Sequence, residues 1–92
     1  MPETTKKTLK KRGSKYGTME SNAETTQELM EVFMRGKNAK ELACIHLECI
    51  HMIFHKISRM VNGDVNYTDN MHDVAGYAKL LEDYQEKQNV NT

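Results

Sequence analysis

The sequence predicts an all-α protein of three main helices with a basic N-terminal arm, associated as a helical-bundle oligomer. Three observations carry this. Apolar residues recur at three- and four-residue spacing in three successive segments, the periodicity of amphipathic helices. No segment shows a strand's alternation. The middle segment is apolar round most of its circumference, in a chain of only 92 residues. A chain so short buries about 60–65% of its unfolded surface, so its core is thin and association is a common remedy.

Residues 1–17 read as the arm. They carry Lys6, Lys7, Lys10, Lys11, Arg12 and Lys15 against Glu3, six basic residues to one acidic, or +5. Residues 18–92 hold seven basic and twelve acidic residues, or −5, so the chain's net charge of zero hides a basic arm on an acidic body. Such an arm suits phosphates, nucleic acid or the acidic face of a neighbouring subunit. Gly17 suggests a turn that ends it.

Residues 18–87 read as one helical domain. The first helix is expected from about 19 to 35, capped by Ser21 or Asn22, with Glu24 at capping-box distance from Ser21. Ala23, Met30, Phe33 and Met34 form a narrow apolar stripe with Leu29 beside it, and Gly36 is a natural stop. For the second helix, Asn38 is the expected cap. Ala43, Leu47, Ile50, Phe54, Ile57 and Val61 repeat at 4-3-4-3-4 spacing, and Leu42, Ile45, Cys49, Met52, Ile53 and Met60 widen the stripe. A helix apolar nearly all round has to be covered nearly all round, and two slim neighbours fall short. The expected remedy is a second copy packed on this helix. Asn62-Gly63-Asp64 breaks it. The third helix is expected from about 70 to 87, capped by Thr68 or Asp69, with Met71, Val74, Ala78 and Leu81 at helical spacing. Residues 88–92 read as a polar tail.

The composition narrows the function classes. No run of about 20 apolar residues spans a membrane, and the first 17 residues hold no apolar signal-type segment. Cys44 and Cys49 stand five apart, a poor spacing for a bridge on one helix, so they read as reduced thiols. Together these predict a cytoplasmic protein.

Chemistry concentrates on one side of the second helix. Cys44, Glu48, His51, His55 and Arg59 line up at 4-3-4-4 spacing, with Lys56 at the border. Three readings compete. Glu48-x-x-His51, with Asp69-x-x-His72, imitates the Glu-x-x-His unit of di-iron bundles. Glu28-x-x-Glu31 supplies half of the paired motif with which all-helical nucleotide pyrophosphatases hold Mg²⁺, but Glu48-x-x-His51 puts His where the second half needs Asp. The third reading is anion recognition without chemistry. Arg59 can hold a phosphate bidentately, Lys56 adds a point charge, the tyrosines supply aromatic faces, and Asp73 can bond a ribose hydroxyl or base edge. A plainer account stays open beside these: Lys56 and Arg59 complement a helix C-terminus, and Asp73 is the ion partner of one of them.

From Arg12 to about Tyr84 the chain resembles a family of small, uncharacterised all-helical proteins of tailed phages and prophages. The segments that carry the resemblance are Arg12-Gly13-Ser14-Lys15-Tyr16-Gly17, Lys56-Ile57-Ser58-Arg59-Met60 and Asp73-Val74-Ala75-Gly76-Tyr77-Ala78. The chain departs from the pattern between the first two helices, where Arg35 to Lys40 is short and basic. The resemblance implies a role near nucleotide metabolism or modification. The family pattern matches Arg12, Tyr16, Gly17, Lys56, Arg59, Asp73, Gly76 and Tyr77, and by residue type Arg12, Tyr16, Lys56, Arg59, Asp73 and Tyr77 are the expected ligand-binding residues.

The expectation is therefore a non-catalytic binder of a nucleotide-like anion that needs no cofactor, an accessory protein suited to sequestering a host nucleotide immune signal. Its partners are a second copy through the second helix and the nucleotide-like molecule, with nucleic acid a possible further partner of the arm. The alternatives are a Mg²⁺-dependent pyrophosphatase, which needs Glu28, Glu31, Glu48 and Asp73 to converge, and an oligomeric module for protein or nucleic acid.

Overall fold

A computed structural model of the chain describes residues 15–90. Helix α1 spans Met19–Phe33, a single 3-10 turn spans Ala39–Glu41, α2 spans Cys44–Asn62 and α3 spans Thr68–Val90. No strand occurs among the described residues, and none of the helices is long and apolar enough to cross a membrane. The all-α expectation holds.

The helix ends differ from the sequence expectation for local reasons. α1 is capped by Thr18, whose Oγ1 accepts from the Ser21 N–H at 3.1 Å, so the helix starts earlier than a Ser21 or Asn22 cap would place it. This frees Asn22 to face inward, where it is 4% exposed. The chain leaves the helix at Met34, before Gly36. Asn38 precedes only the 3-10 turn and makes no side-chain cap there. The cap residue of α2 is Ala43, outside the helix. Lacking a side-chain acceptor of its own, Ala43 donates its N–H to Nδ1 of His46 at 3.0 Å. α3 continues through Val90, three residues past the expected end near 87.

α2 lies between α1 and α3, and the outer helices scarcely touch. The result is an open three-helix layer. α1 takes one side of α2: Phe33 meets Phe54 edge-on with centroids 5.7 Å apart, and Thr26 donates to Ser58 at 2.9 Å. α3 takes another side, where Lys56 reaches Asp73. Ile50, Ile53, Ile57 and Val61, spaced 3-4-4 along a further side of α2, stay partly exposed, Val61 at 59%. Cys49 is the one buried apolar residue among those described.

The buried positions are mostly polar, which the apolar stripes did not anticipate. Asn22, Thr26, Ser58 and Asn70 are all under 5% exposed. On α1, the inward positions start at Asn22 and Thr26, while Ala23 faces out. On α3, Asn70, Val74, Tyr77 and Leu81 lie inward, and Met71 and Ala78 are exposed. Ser58 Oγ in turn donates to the Phe54 carbonyl at 2.8 Å, so the Thr26–Ser58 pair is satisfied inside the layer.

The chain before α1 is stitched to the end of α2. Asp64 N–H donates to the Lys15 carbonyl at 3.0 Å, and Asn22 Nδ2 donates to the Tyr16 carbonyl at 2.6 Å. Asn62 Nδ2 lies 3.1–3.2 Å from Ser21 O, Asn22 Oδ1 and Thr25 Oγ1. Gly17 has φ +77° and sits where a Cβ would come within 2.7 Å of the Asn62 carbonyl. A Cβ on Gly63 would run into the Lys15 carbonyl. The last residues of the expected arm, Lys15 to Gly17, are therefore part of the fold. The remainder of the arm, Arg12 included, lies outside the described residues.

Glycine substitutions should separate these positions. Gly17→Ala and Gly63→Ala are each expected to lower unfolding free energy in urea by about 1–3 kcal/mol, through the left-handed φ at Gly17 and backbone overlap at Gly63. Gly76→Ala, in mid-helix with nothing within 4 Å of the added methyl, should raise it by about 0.5–1 kcal/mol.

Candidate functional site

The stitched N-terminal segment brings several of the expected site residues together. The Arg59 guanidinium carbon lies 3.8 Å from the centre of the Tyr16 ring. Tyr16 meets Tyr67 edge-on, with centroids 5.3 Å apart, and its hydroxyl donates to the Tyr67 hydroxyl at 3.3 Å. Lys15 Nζ lies 5.1 Å over the Tyr67 ring. Two cations thus flank one tyrosine pair, each held by a ring quadrupole, a contact typically worth about 0.5–2 kcal/mol depending on desolvation.

Each side chain is placed by a local feature. Arg59 lies near the end of α2, one helical turn before Asn62 and Gly63, so the residues that receive Lys15 and Tyr16 lie beside it. Tyr67 closes the turn that follows, with its N–H donating to Asp64 O at 3.1 Å. Asp64 also accepts from Asn66 N–H through Oδ1 at 2.9 Å, which tightens the turn.

One turn further along the α2–α3 seam, Lys56 Nζ lies 3.0 Å from Asp73 Oδ2, with the lysine side chain 13% exposed and the aspartate 43%. The ion-pair role considered for Asp73 is the one the fold displays. With one partner well exposed, the pair itself is worth only about 1 kcal/mol, so its main effect is to orient two groups across the seam. Tyr77, one turn after Asp73, is half-buried on the same side of α3.

Asn70 was not singled out from sequence. It is 1% exposed, and its Nδ2 is the one buried side-chain nitrogen or oxygen among the described residues that lacks a hydrogen-bond partner. Its backbone N–H donates to the Tyr67 carbonyl at 3.3 Å, and Asp73 follows three residues later on the same side of α3. A buried donor without a partner costs about 1–3 kcal/mol. In the sequence it is hidden by its position, because an Asn in the first turn of a helix looks like ordinary capping chemistry.

The electrostatics of α2 follow from this crowding. The His55 pKa is pushed down, first by burial and then by the nearby charges of Arg59, Lys56 and His51. Tyr67 is pushed up, chiefly by its hydrogen bond with Tyr16 and then by Asp69, which keeps its phenol neutral. Cys44 and Glu48, the start of the expected ladder, are exposed and stand apart from the tyrosine cluster.

The carboxylates needed for the pyrophosphatase alternative do not gather. Glu31 pairs with Arg35 at 3.7 Å on the surface of α1, Asp73 is held by Lys56, and Glu28 and Glu48 are exposed. Among the described residues no group of three or more His, Cys, Asp or Glu is placed to hold a metal ion. The Glu48/His51 and Asp69/His72 pairs therefore do not combine into a di-iron-type set within one chain.

The lowered His55 pKa gives a signed expectation. The folded value lies below the ordinary 6.5, so the unfolded chain takes up this proton first. The stability is intact above about pH 7 and is lost as pH falls through the ordinary histidine value. Urea unfolding at pH 7.5 and 5.5 should show stability falling across the window, and His55→Gln should make that fall smaller.

A search of curated proteins and a search of solved structures each find no match to this chain. A family model does match, over residues 1–85, described as a domain of unknown function, DUF6378. That span takes in the basic segment, the tyrosine cluster, the Lys56–Asp73 seam and nearly all of α3. The chain thus belongs to the DUF6378 family.

Proposed function

We propose that the chain is a non-catalytic binding module for a nucleotide-like anion, and that it works as a homo-oligomer. The observation that carries the binding reading is the pair of cations held at one tyrosine pair, Arg59 over Tyr16 and Lys15 over Tyr67. A guanidinium lying over a ring keeps its N–H edge free for a phosphate, and the rings offer a surface for a base. Lys56, with Asp73 as its counter-ion, adds a third cation within a turn of Arg59. His55, held neutral, can donate or accept without adding charge. The sequence before Lys15 adds further positive charge in Arg12, Lys6, Lys7, Lys10 and Lys11. The setting proposed with this reading is an accessory protein of a phage that sequesters a host nucleotide immune signal.

The oligomer reading rests on the uncovered side of α2. Among the described residues Cys49 is the one buried apolar side chain, and Ile50, Ile53, Ile57 and Val61 stay partly exposed. A second copy presents the same stripe and can pair with it about a two-fold axis, an isologous contact.

Two measurements test these readings. Isothermal titration against a panel of mono-, di- and cyclic nucleotides should find micromolar binding that Arg59→Ala weakens at least about tenfold, the scale of a charge-assisted bidentate contact. No binding by any member would end the ligand reading. In sedimentation, the wild-type chain should run as a dimer or larger and Ile57→Glu as a folded monomer. A wild-type chain that is strictly monomeric and still folded at high dilution would remove the oligomer.

A further inference from the structure

The tyrosine cluster and the cations account for an anion and a flat ring. They do not account for Asn70. The other three nearly buried polar side chains are each bonded within the layer: Asn22 to the Tyr16 carbonyl, Thr26 to Ser58, and Ser58 to the Phe54 carbonyl. Asn70 is as deeply placed as these and leaves its Nδ2 without a partner. Native folds seldom keep such a group unless it has a use.

Its position narrows what the use can be. Asn70 stands in the first turn of α3, with Tyr67 one turn before and Asp73 one turn after on the same side. Tyr67 belongs to the aromatic pair, and Asp73 to the bridge with Lys56. The unpaired amide therefore lies between the aromatic surface and the salt bridge, at the positive end of a helix of 23 residues. A carboxamide presents a donor and an acceptor side by side, the pattern that reads the edge of a nucleobase.

Resting on the nucleotide-binding reading above, we infer that Asn70 is a specificity-determining residue of this site, whose Nδ2 donates to an acceptor on the base of the bound nucleotide, a carbonyl oxygen or a ring nitrogen. The phosphate engages Arg59 and Lys15, and the base enters towards α3. The amide nitrogen is buried, so the base reaches it only as neighbouring side chains move aside. The ligand class is then a nucleotide recognised by its base, and inorganic phosphate or pyrophosphate meets only the cations.

Asn70→Leu tests this, because leucine keeps the branching of asparagine, though it is bulkier, and needs no hydrogen bond. Its melting temperature should stay close to the wild type's, since removal of an unmet polar group offsets the added bulk. Its affinity for the tightest-binding nucleotide of the panel should fall at least about tenfold, with pyrophosphate affinity kept within about threefold, because a polar site left unpaired discriminates strongly. Asn70→Ala, which fits any space asparagine fits, should show the same selectivity change.

The inference is overturned if either variant binds the nucleotide as the wild type does, and the binding reading then survives without it. It is also overturned if Asn70→Leu melts well below the wild type while Asn70→Ala loses nucleotide and pyrophosphate alike, because the amide is then bonded inside the fold through a buried water. A wild-type chain that binds pyrophosphate as tightly as any nucleotide overturns it too. A wild-type chain that binds neither removes both the inference and the reading beneath it.

Discussion

The contact between the Lys15 carbonyl and the Asp64 N–H, made across the bare α-carbon of Gly63, is the constraint on which the proposed site depends. It brings the segment before α1 onto the C-terminal end of α2. Tyr16 then has one available place, between Arg59 and Tyr67, with its own carbonyl taken by Asn22. The close approach leaves no room for a Cβ at Gly63, and the left-handed φ of Gly17 turns the chain at once into the Thr18 cap. Without that stitch, Arg59 would be one more cation at a helix end, and Tyr67 one more loop tyrosine.

The same region shows how a thin protein aligns its helices. The α1–α2 contact is held as much by amide and hydroxyl groups as by apolar ones. Asn62 gathers three acceptors from α1, and Thr26 and Ser58 bond to each other in the interior. Bonds of this kind add little net stability each but are directional, so they favour one alignment of the two helices over a slipped one. The apolar contribution comes from Phe33 against Phe54 and from partly covered aliphatic side chains of α2. Among the described residues one side of the central helix stays partly exposed, which links the modest core to the proposed association.

Parts of the site were legible in the sequence and parts were not. Lys56 and Asp73 stand on helical faces whose phase can be counted, so their approach across the α2–α3 seam was open to expectation. Tyr16 was named through a short motif and as one of several aromatic faces, and nothing in its spacing tells that its ring lies under Arg59. Lys15 counted only as part of a charged arm. Asn70 gave no signal, because an asparagine at a helix start is common and its missing partner is a property of the surrounding packing. The gathering of Glu28, Glu31, Glu48 and Asp73 that the pyrophosphatase alternative requires is absent for a geometric reason: α1 presents its glutamates to solvent while Asp73 is paired with Lys56.

By itself the sequence determined the all-α class, the three helical segments, the break at Asn62-Gly63-Asp64 and the excess of apolar surface on the middle helix. These follow from periodicity, backbone breakers and chain length, all of which are local or additive. The tertiary structure decided where each helix is capped, which face of α1 and α3 turns inward, and that Lys15 to Gly17 belong to the fold. It also decided that the buried positions are largely polar. Each of these depends on a hydrogen-bond acceptor or a space supplied by residues distant in the chain, as Gly63 supplies one for Lys15 and Ser58 for Thr26. Neither an acceptor nor a space of that kind can be read from spacing along one segment.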